Sequence, residues 1–73
     1  MSQEDPRRIF GSHIRNFCKQ AGISQEKLAE VCGLHRTYIG AVERGERNIS
    51  LLNIVALAHA LNIKPTQLLE EIV

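Results

Sequence analysis

Tryptophan is absent, tyrosine occurs once and phenylalanine twice, so the core has to be built from aliphatic side chains. Two prolines, Pro6 and Pro65, leave little material for the turns of a many-stranded sheet, which favours helices. No run of about eighteen apolar residues is present, which excludes a membrane-spanning helix. The opening MSQEDPRR is charged where a secretory leader would be apolar, so the chain reads as soluble and cytoplasmic. Only two cysteines occur, Cys18 and Cys32, and neither belongs to a CxxC pair. They could form one disulfide, but small buried thiols are the expected state in a cytosolic helical domain. His13, His35 and His59 are far apart and have no HxxxH partner, so no metal site is expected. Nothing points to a cofactor or a small-molecule ligand.

What is present is one small domain. Seventy-three residues lie near the lower limit at which a single core suffices, and dimerisation would help such a chain. Residues 1–73 read as one unit, with 1–5 as a flexible tail. The net charge of +1 conceals an uneven division. From Arg7 to Arg47 there are eight Lys or Arg against four acids, while Glu4, Asp5, Glu70 and Glu71 sit at the ends. A basic middle suits a phosphate-facing surface, and a solvated mixed-charge face is the bland alternative.

Start and stop signals divide the chain into five helices. Asp5 and Pro6 form an N-cap and first turn, and Phe10, Ile14, Phe17 and Ala21 recur as one apolar stripe, giving a helix from Pro6 to about Gln20 ended by Gly22. Ser24 caps the next helix, Gln25 to Cys32, with Ile23 and Leu28 as a hydrophobic staple. Leu28, Ala29 and Cys32 turn inward there, and Gly33 terminates it. A third helix, Arg36 to Arg44, buries Ile39 and Val42 and shows Arg36, Thr37, Gly40 and Ala41 on its outer face, with Tyr38 at the edge. Ser50 caps the fourth, Leu51 to Leu61, whose core face is read as Leu51, Ile54, Val55, Ala58 and Leu61. Leu52 and Leu57 lie off that face. The fifth runs from Pro65 to about Glu71 and adds Leu68, Leu69, Ile72 and Val73. Helices four and five therefore carry more apolar surface than one small domain needs, and a second partner is expected.

Gln25 to Arg44 is the most informative stretch. A small residue is needed where two short helices cross closest, and Ala29 is there; the turn needs positive φ, and Gly33 is there. Apolar contacts come from Leu28, Cys32, Leu34, Ile39 and Val42. An ordinary antiparallel helix pair would use those apolar positions without requiring Ala29 and Gly33. The pattern is a helix-turn-helix, whose second helix enters the DNA major groove.

From Ile14 to Leu69 the sequence resembles the phage repressor and Cro family, on GISQEKLAEVCGL and the Glu43-Arg44-Gly45 that follows. HRTYIGAVERGERN, residues 35 to 48, resembles more particularly the controller proteins of restriction-modification operons, which are dimeric regulators with five helices. The resemblance implies an all-α, lambda-repressor-like domain that binds double-stranded DNA as a homodimer. It places Arg36, Thr37 and Tyr38 at the bases, with Arg36 pairing guanine O6 and N7. Gln25, Arg44, Arg47 and Asn48 would hold phosphates. The expected dimer surface is Leu52, Leu57, Leu68, Leu69 and Ile72. Each polar residue on this roll is otherwise simply solvated, and Tyr38 could pack on the helix edge.

Two departures stand out. Many members of the family carry Arg where this chain has Cys18, and that Arg pairs with the Glu equivalent to Glu43. Here Arg15, Arg47 or loop amides are the remaining partners, and an unpaired buried carboxylate would be costly. Ile49 stands where the family often has Pro. Enzymatic readings fail for want of context: Ser12, Ser24 and Ser50 sit in no nucleophile elbow, no phosphate-binding glycine loop is present, and a domain this small leaves no room for a usual substrate pocket. The competing class is an antitoxin-like module that keeps the fold and uses its apolar surface to bind another protein.

Overall fold

The computed structural model describes residues 4–72. Among them the chain forms five helices and no strand: α1 (Pro6–Ala21), α2 (Gln25–Cys32), α3 (Arg36–Glu43), α4 (Leu51–Ala60) and α5 (Pro65–Leu68). This is the all-α, five-helix lambda-repressor-like arrangement expected. The expected apolar residue Val73 and residues 1–3 of the expected tail lie outside the described residues.

The caps follow from local chemistry. Asp5 accepts a hydrogen bond from the Arg7 amide with Pro6 in the first turn, Ser24 accepts from Lys27 N, and Ser50 accepts from Asn53 N. The staple residues Ile23 and Leu28 belong to the central cluster, Leu28 fully buried and Ile23 packed against it.

The core gathers Phe10, Ile14 and Cys18 of α1, Leu28 and Ala29 of α2, Ile39 and Val42 of α3, Leu57, Ala58 and Leu61, and Leu68 of α5. Its aliphatic character is the counterpart of the missing aromatics. The stripe of α1 departs from the expected one, because Cys18 rather than Ala21 continues the line from Phe10 and Ile14, and Phe17 is only half-buried. Ala21 is exposed beside the Gly22 cap, past the last turn that packs on the core.

Gly11 was not distinguished by the pattern, yet it sets the approach of α1 to α3. A Cβ there would stand 2.4 Å from the Val42 carbonyl oxygen and 2.6 Å from that of Glu43. Only a bare α-carbon lets the two backbones meet at that distance.

Helix α4 corrects the expected core face. Leu57, placed off it, is fully buried, whereas Leu51 is 72% exposed and Val55 is only half-buried. A helix apolar on nearly every side offers no periodic signal for which face turns inward. The contacts decide: α4 packs on α2 and α5, and its later turns, Leu57, Ala58 and Leu61, meet them. Leu51 lies at the first turn, beyond the edge of the core. Helix α5 is shorter than expected. It ends at Leu68, and Glu71 takes a φ of +67°, so the backbone cannot continue as a helix. The segment after it is tied back to α1 by His13, whose Nε2 lies 2.8 Å from the Glu70 carbonyl oxygen.

Candidate nucleic-acid interface

Helices α2 and α3 are joined by the turn at Gly33 and Leu34. Gly33 holds φ +75°, and the amides of Gly33 and Leu34 both donate to the Ala29 carbonyl, at 2.9 and 3.1 Å. A left-handed residue is needed at that position, which is why glycine occupies it. Leu34 is half-buried as the plug of the turn, and Ile39 and Val42 anchor α3 from beneath.

The start of α3 is open. His35 stands at its N-cap but makes no side-chain cap bond, and Arg36 and Thr37 are exposed. Uncapped first-turn amides and the positive end of the helix dipole suit an anionic backbone. Tyr38 is half-buried; its hydroxyl accepts a hydrogen bond from Asn53 Nδ2 at 3.2 Å, and the Arg47 guanidinium lies over its ring at 5.0 Å. Tyr38 is thus fixed by α4 on one side and by a cation–π contact on the other. Arg44 is held by Glu46 through Nε and Nη2, at 3.1 and 3.2 Å. Arg36 is paired with Glu26, Nη1 to Oε1 at 3.3 Å.

The outer face of α3 differs from the expectation at two positions. Gly40 and Ala41 are buried, not exposed. Gly40 faces inward toward its neighbours: a Cβ on it would lie 3.2 Å from Arg44 Nη1 and 3.5 Å from Gln25 Oε1. Small residues there let α2 and Arg44 close over the helix, so the freely presented surface is the N-terminal end alone.

Glu43 is resolved without the missing arginine. Its side chain is 7% exposed, with Arg15 Nε at 3.9 Å. The nearer partner is Gln25, expected at phosphate: its Nε2 donates to Glu43 Oε1 at 2.7 Å. No buried side-chain nitrogen or oxygen is left without a partner among the described residues. Cys18 is buried, and its thiol is pushed up to about 11, first by burial, then by the negative charge of Glu43 and by Cys32. Both cysteines are free thiols.

The remaining expected residues fall into two groups. Asn48 is exposed and lines, with Pro6, Phe10, Ile49, Ile54 and Leu69, an apolar groove of about 200 Å³. Of the expected dimer surface, Leu52 is 81% exposed, Leu69 is 41% exposed and Ile72 is half-buried. Leu57 and Leu68 are fully buried within the chain's own core and have nothing to offer a partner. Leu51, expected in the core, is 72% exposed and adds to that surface. Two further residues were missed, Glu26 and Asn53. Neither carries a local signal, since each matters only through a side chain brought to it by the fold.

A helix-turn-helix whose second helix presents its N-terminal end to solvent, packed into a five-helix domain with an aliphatic core, defines a DNA-binding transcriptional regulator. Residues 14–68 match the family model described as Helix-turn-helix, and the chain belongs to that family. The control protein C.SmaI of Serratia marcescens is 48% identical over 65 residues, covering 89% of this chain and 77% of that protein. The control protein C.BamHI of Bacillus amyloliquefaciens is likewise 48% identical over 65 residues, covering 88% and 80%. Among solved structures, the restriction-modification controller protein C.AhdI from Aeromonas hydrophila superposes with a TM-score of 0.83 at 50% identity, over 85% of this chain and 94% of that one. The biofilm regulator SinR in complex with DNA superposes with a TM-score of 0.80 at 27% identity, over 84% and 98%. The likeness to controller proteins read from residues 35 to 48 therefore extends across most of the chain.

Proposed function

We propose that this chain is a homodimeric, sequence-specific controller of a restriction-modification operon. Two copies of α3 would enter successive major grooves about 34 Å apart on a partly palindromic operator. The observation that carries the reading is Arg36 at the exposed first position of α3, its side chain 63% exposed, at the end of the helix that no cap covers. Arg36 and Thr37 read bases. Tyr38, fixed against Asn53 and Arg47, borders them, and Arg44 and Arg47 hold phosphates on either side. The similarity to C.SmaI, C.BamHI and C.AhdI supports the controller role. The dimer is supported by leucines that a lone domain leaves in water, Leu51 and Leu52 at the start of α4 together with Leu69.

The test is a binding comparison on an operator selected from random duplexes. Arg36→Ala lowers affinity for that operator and leaves random DNA nearly unaffected, a loss of about 1–3 kcal/mol in discrimination. Arg47→Ala weakens both and flattens the salt slope by up to about one unit. Equal losses on operator and random DNA for Arg36→Ala would refute the base-reading role.

A further inference from the structure

Arg36 has an acidic neighbour across the motif. Its Nη1 lies 3.3 Å from Oε1 of Glu26, and the two side chains are 63% and 74% exposed. Glu26 belongs to the first turn of α2 and Arg36 opens α3, so this meeting across the motif is a product of the Gly33 turn and not of sequence proximity. The closest approach engages one nitrogen. A guanidinium carries five N–H donors in a planar fork, so a forked edge is left for a second acceptor pair such as guanine O6 and N7. Among the described residues Arg36 forms no other ion pair, and the acids of α2, α3 and the following loop are engaged elsewhere: Glu30 is paired with Lys27 at 3.1 Å, Glu46 with Arg44, and Glu43 with Gln25 and Arg15.

We propose that Glu26 is a positioning residue for base reading, which holds Arg36 at the DNA-facing edge and sharpens discrimination between operator and random DNA. This rests on Arg36 being the base reader. Two effects act in the same direction. A free arginine samples many rotamers, and ordering it on DNA subtracts from the contact it makes; a carboxylate that already holds the guanidinium removes part of that loss. The same carboxylate, carried to the face that meets DNA, repels phosphates on any sequence where Arg36 finds no guanine to compensate. Glu26 therefore strengthens the specific complex and weakens the random one. A mere competitor, which DNA had to displace, would weaken the specific complex.

An exposed ion pair of this kind limits the positioning effect to about two- to fivefold in affinity. The experiment uses the full chain and three duplexes: the selected operator, the same operator with the guanine facing Arg36 replaced, and a random sequence, all at one salt concentration. Glu26→Gln removes the charge, keeps the shape and, at a site three-quarters exposed, leaves folding intact, which circular dichroism checks. Operator affinity is expected to fall two- to fivefold while affinity for random DNA rises, and Glu26→Asp should retain part of the discrimination. The proposal is overturned if Glu26→Gln changes neither affinity, or tightens the operator as much as the random duplex. Arg36→Ala separates the two levels. If it leaves discrimination intact, the base-reading role itself fails; if it abolishes discrimination while Glu26→Gln does not alter it, only the positioning role fails.

Discussion

Gly11 of α1 faces the backbone of Val42 in α3 so closely that a single added carbon would stand 2.4 Å from the Val42 carbonyl oxygen. The obstructing atoms are all main-chain, so the crowding has no flexible side chain to absorb it. The crossing of α1 over the end of the recognition helix is therefore set by one absent methyl group.

Gly11→Ala is expected to destabilise the protein even though alanine is the better helix former. The propensity gain is about 1 kcal/mol, whereas forced separation of well-packed elements costs about 1–3 kcal/mol and more where backbone must move. A net loss of about 1–2 kcal/mol would lower the midpoint of thermal unfolding by roughly 4–16 °C in a domain of this size. An unchanged or raised midpoint would show that α1 and α3 can slide apart freely.

Leu52 and Leu57 are on one helix but answer to different tests. Leu57 is wholly buried, so Leu57→Ala should cost about 2–5 kcal/mol of stability, read by urea denaturation. Leu52 is 81% exposed and belongs to the proposed dimer surface, so Leu52→Lys should leave the fold intact and shift sedimentation at micromolar concentration toward monomer. A Leu52→Lys protein that sediments as the wild type would remove Leu52 from the dimer surface.

This pair also shows what the sequence could and could not tell. Caps and turns are local, so Asp5, Ser24, Gly33 and Ser50 could be located from residue chemistry, and the helix bounds followed within a few residues except in α5. Periodicity found Leu28, Ala29, Ile39 and Val42 on the inner faces of α2 and α3, but not the burial of Gly40 and Ala41, which are too small to mark a face. On the fourth helix it placed Ala58 and Leu61 rightly but not Leu51, Val55 and Leu57, because Leu51, Leu52, Ile54, Val55 and Leu57 are equally apolar and only contact with α2 and α5 distinguishes them. The exposed N-terminal end of α3, with Arg36 and Thr37, was legible. The partners Glu26, Asn53 and, for Glu43, Gln25 were not, because each is joined to its target by the turn of the chain and not by any spacing rule.

Asp5 gives a pH-dependent test of the start of α1. Its carboxyl is held near 2, below the usual 3.8, first by side-chain hydrogen bonds from Arg7 and then by the Arg7 amide that it caps. A carboxyl lowered in the folded state contributes stability that is present above the unfolded value and lost as pH falls through the folded one. The denaturation midpoint should therefore decline between about pH 4 and pH 2, and this part of the decline should vanish in Asp5→Asn. Asparagine keeps the N-cap but not the ion pair with Arg7, so Asp5→Asn should be the slightly less stable protein at neutral pH. Parallel acid profiles would mean that the Asp5–Arg7 contact contributes nothing in solution.

Gln25 and Glu43 provide the sharpest separation of scaffold from site. Gln25 was expected at phosphate, but its amide donates at 2.7 Å to a carboxylate that is 7% exposed, while Arg15 approaches no closer than 3.9 Å. Gln25→Ala should therefore cost about 1–3 kcal/mol of stability, the range for a hydrogen bond to a charged group in a partly buried site. In a Glu43→Gln background the carboxylate is gone and the same substitution should cost clearly less, a coupling that a double-mutant cycle in urea measures. A phosphate role makes a different demand, since it would lower affinity for operator and random DNA alike without any coupling to Glu43. If Gln25→Ala leaves stability unchanged in both backgrounds and only weakens DNA binding, the amide belongs to the interface, and Glu43 must rely on Arg15 alone.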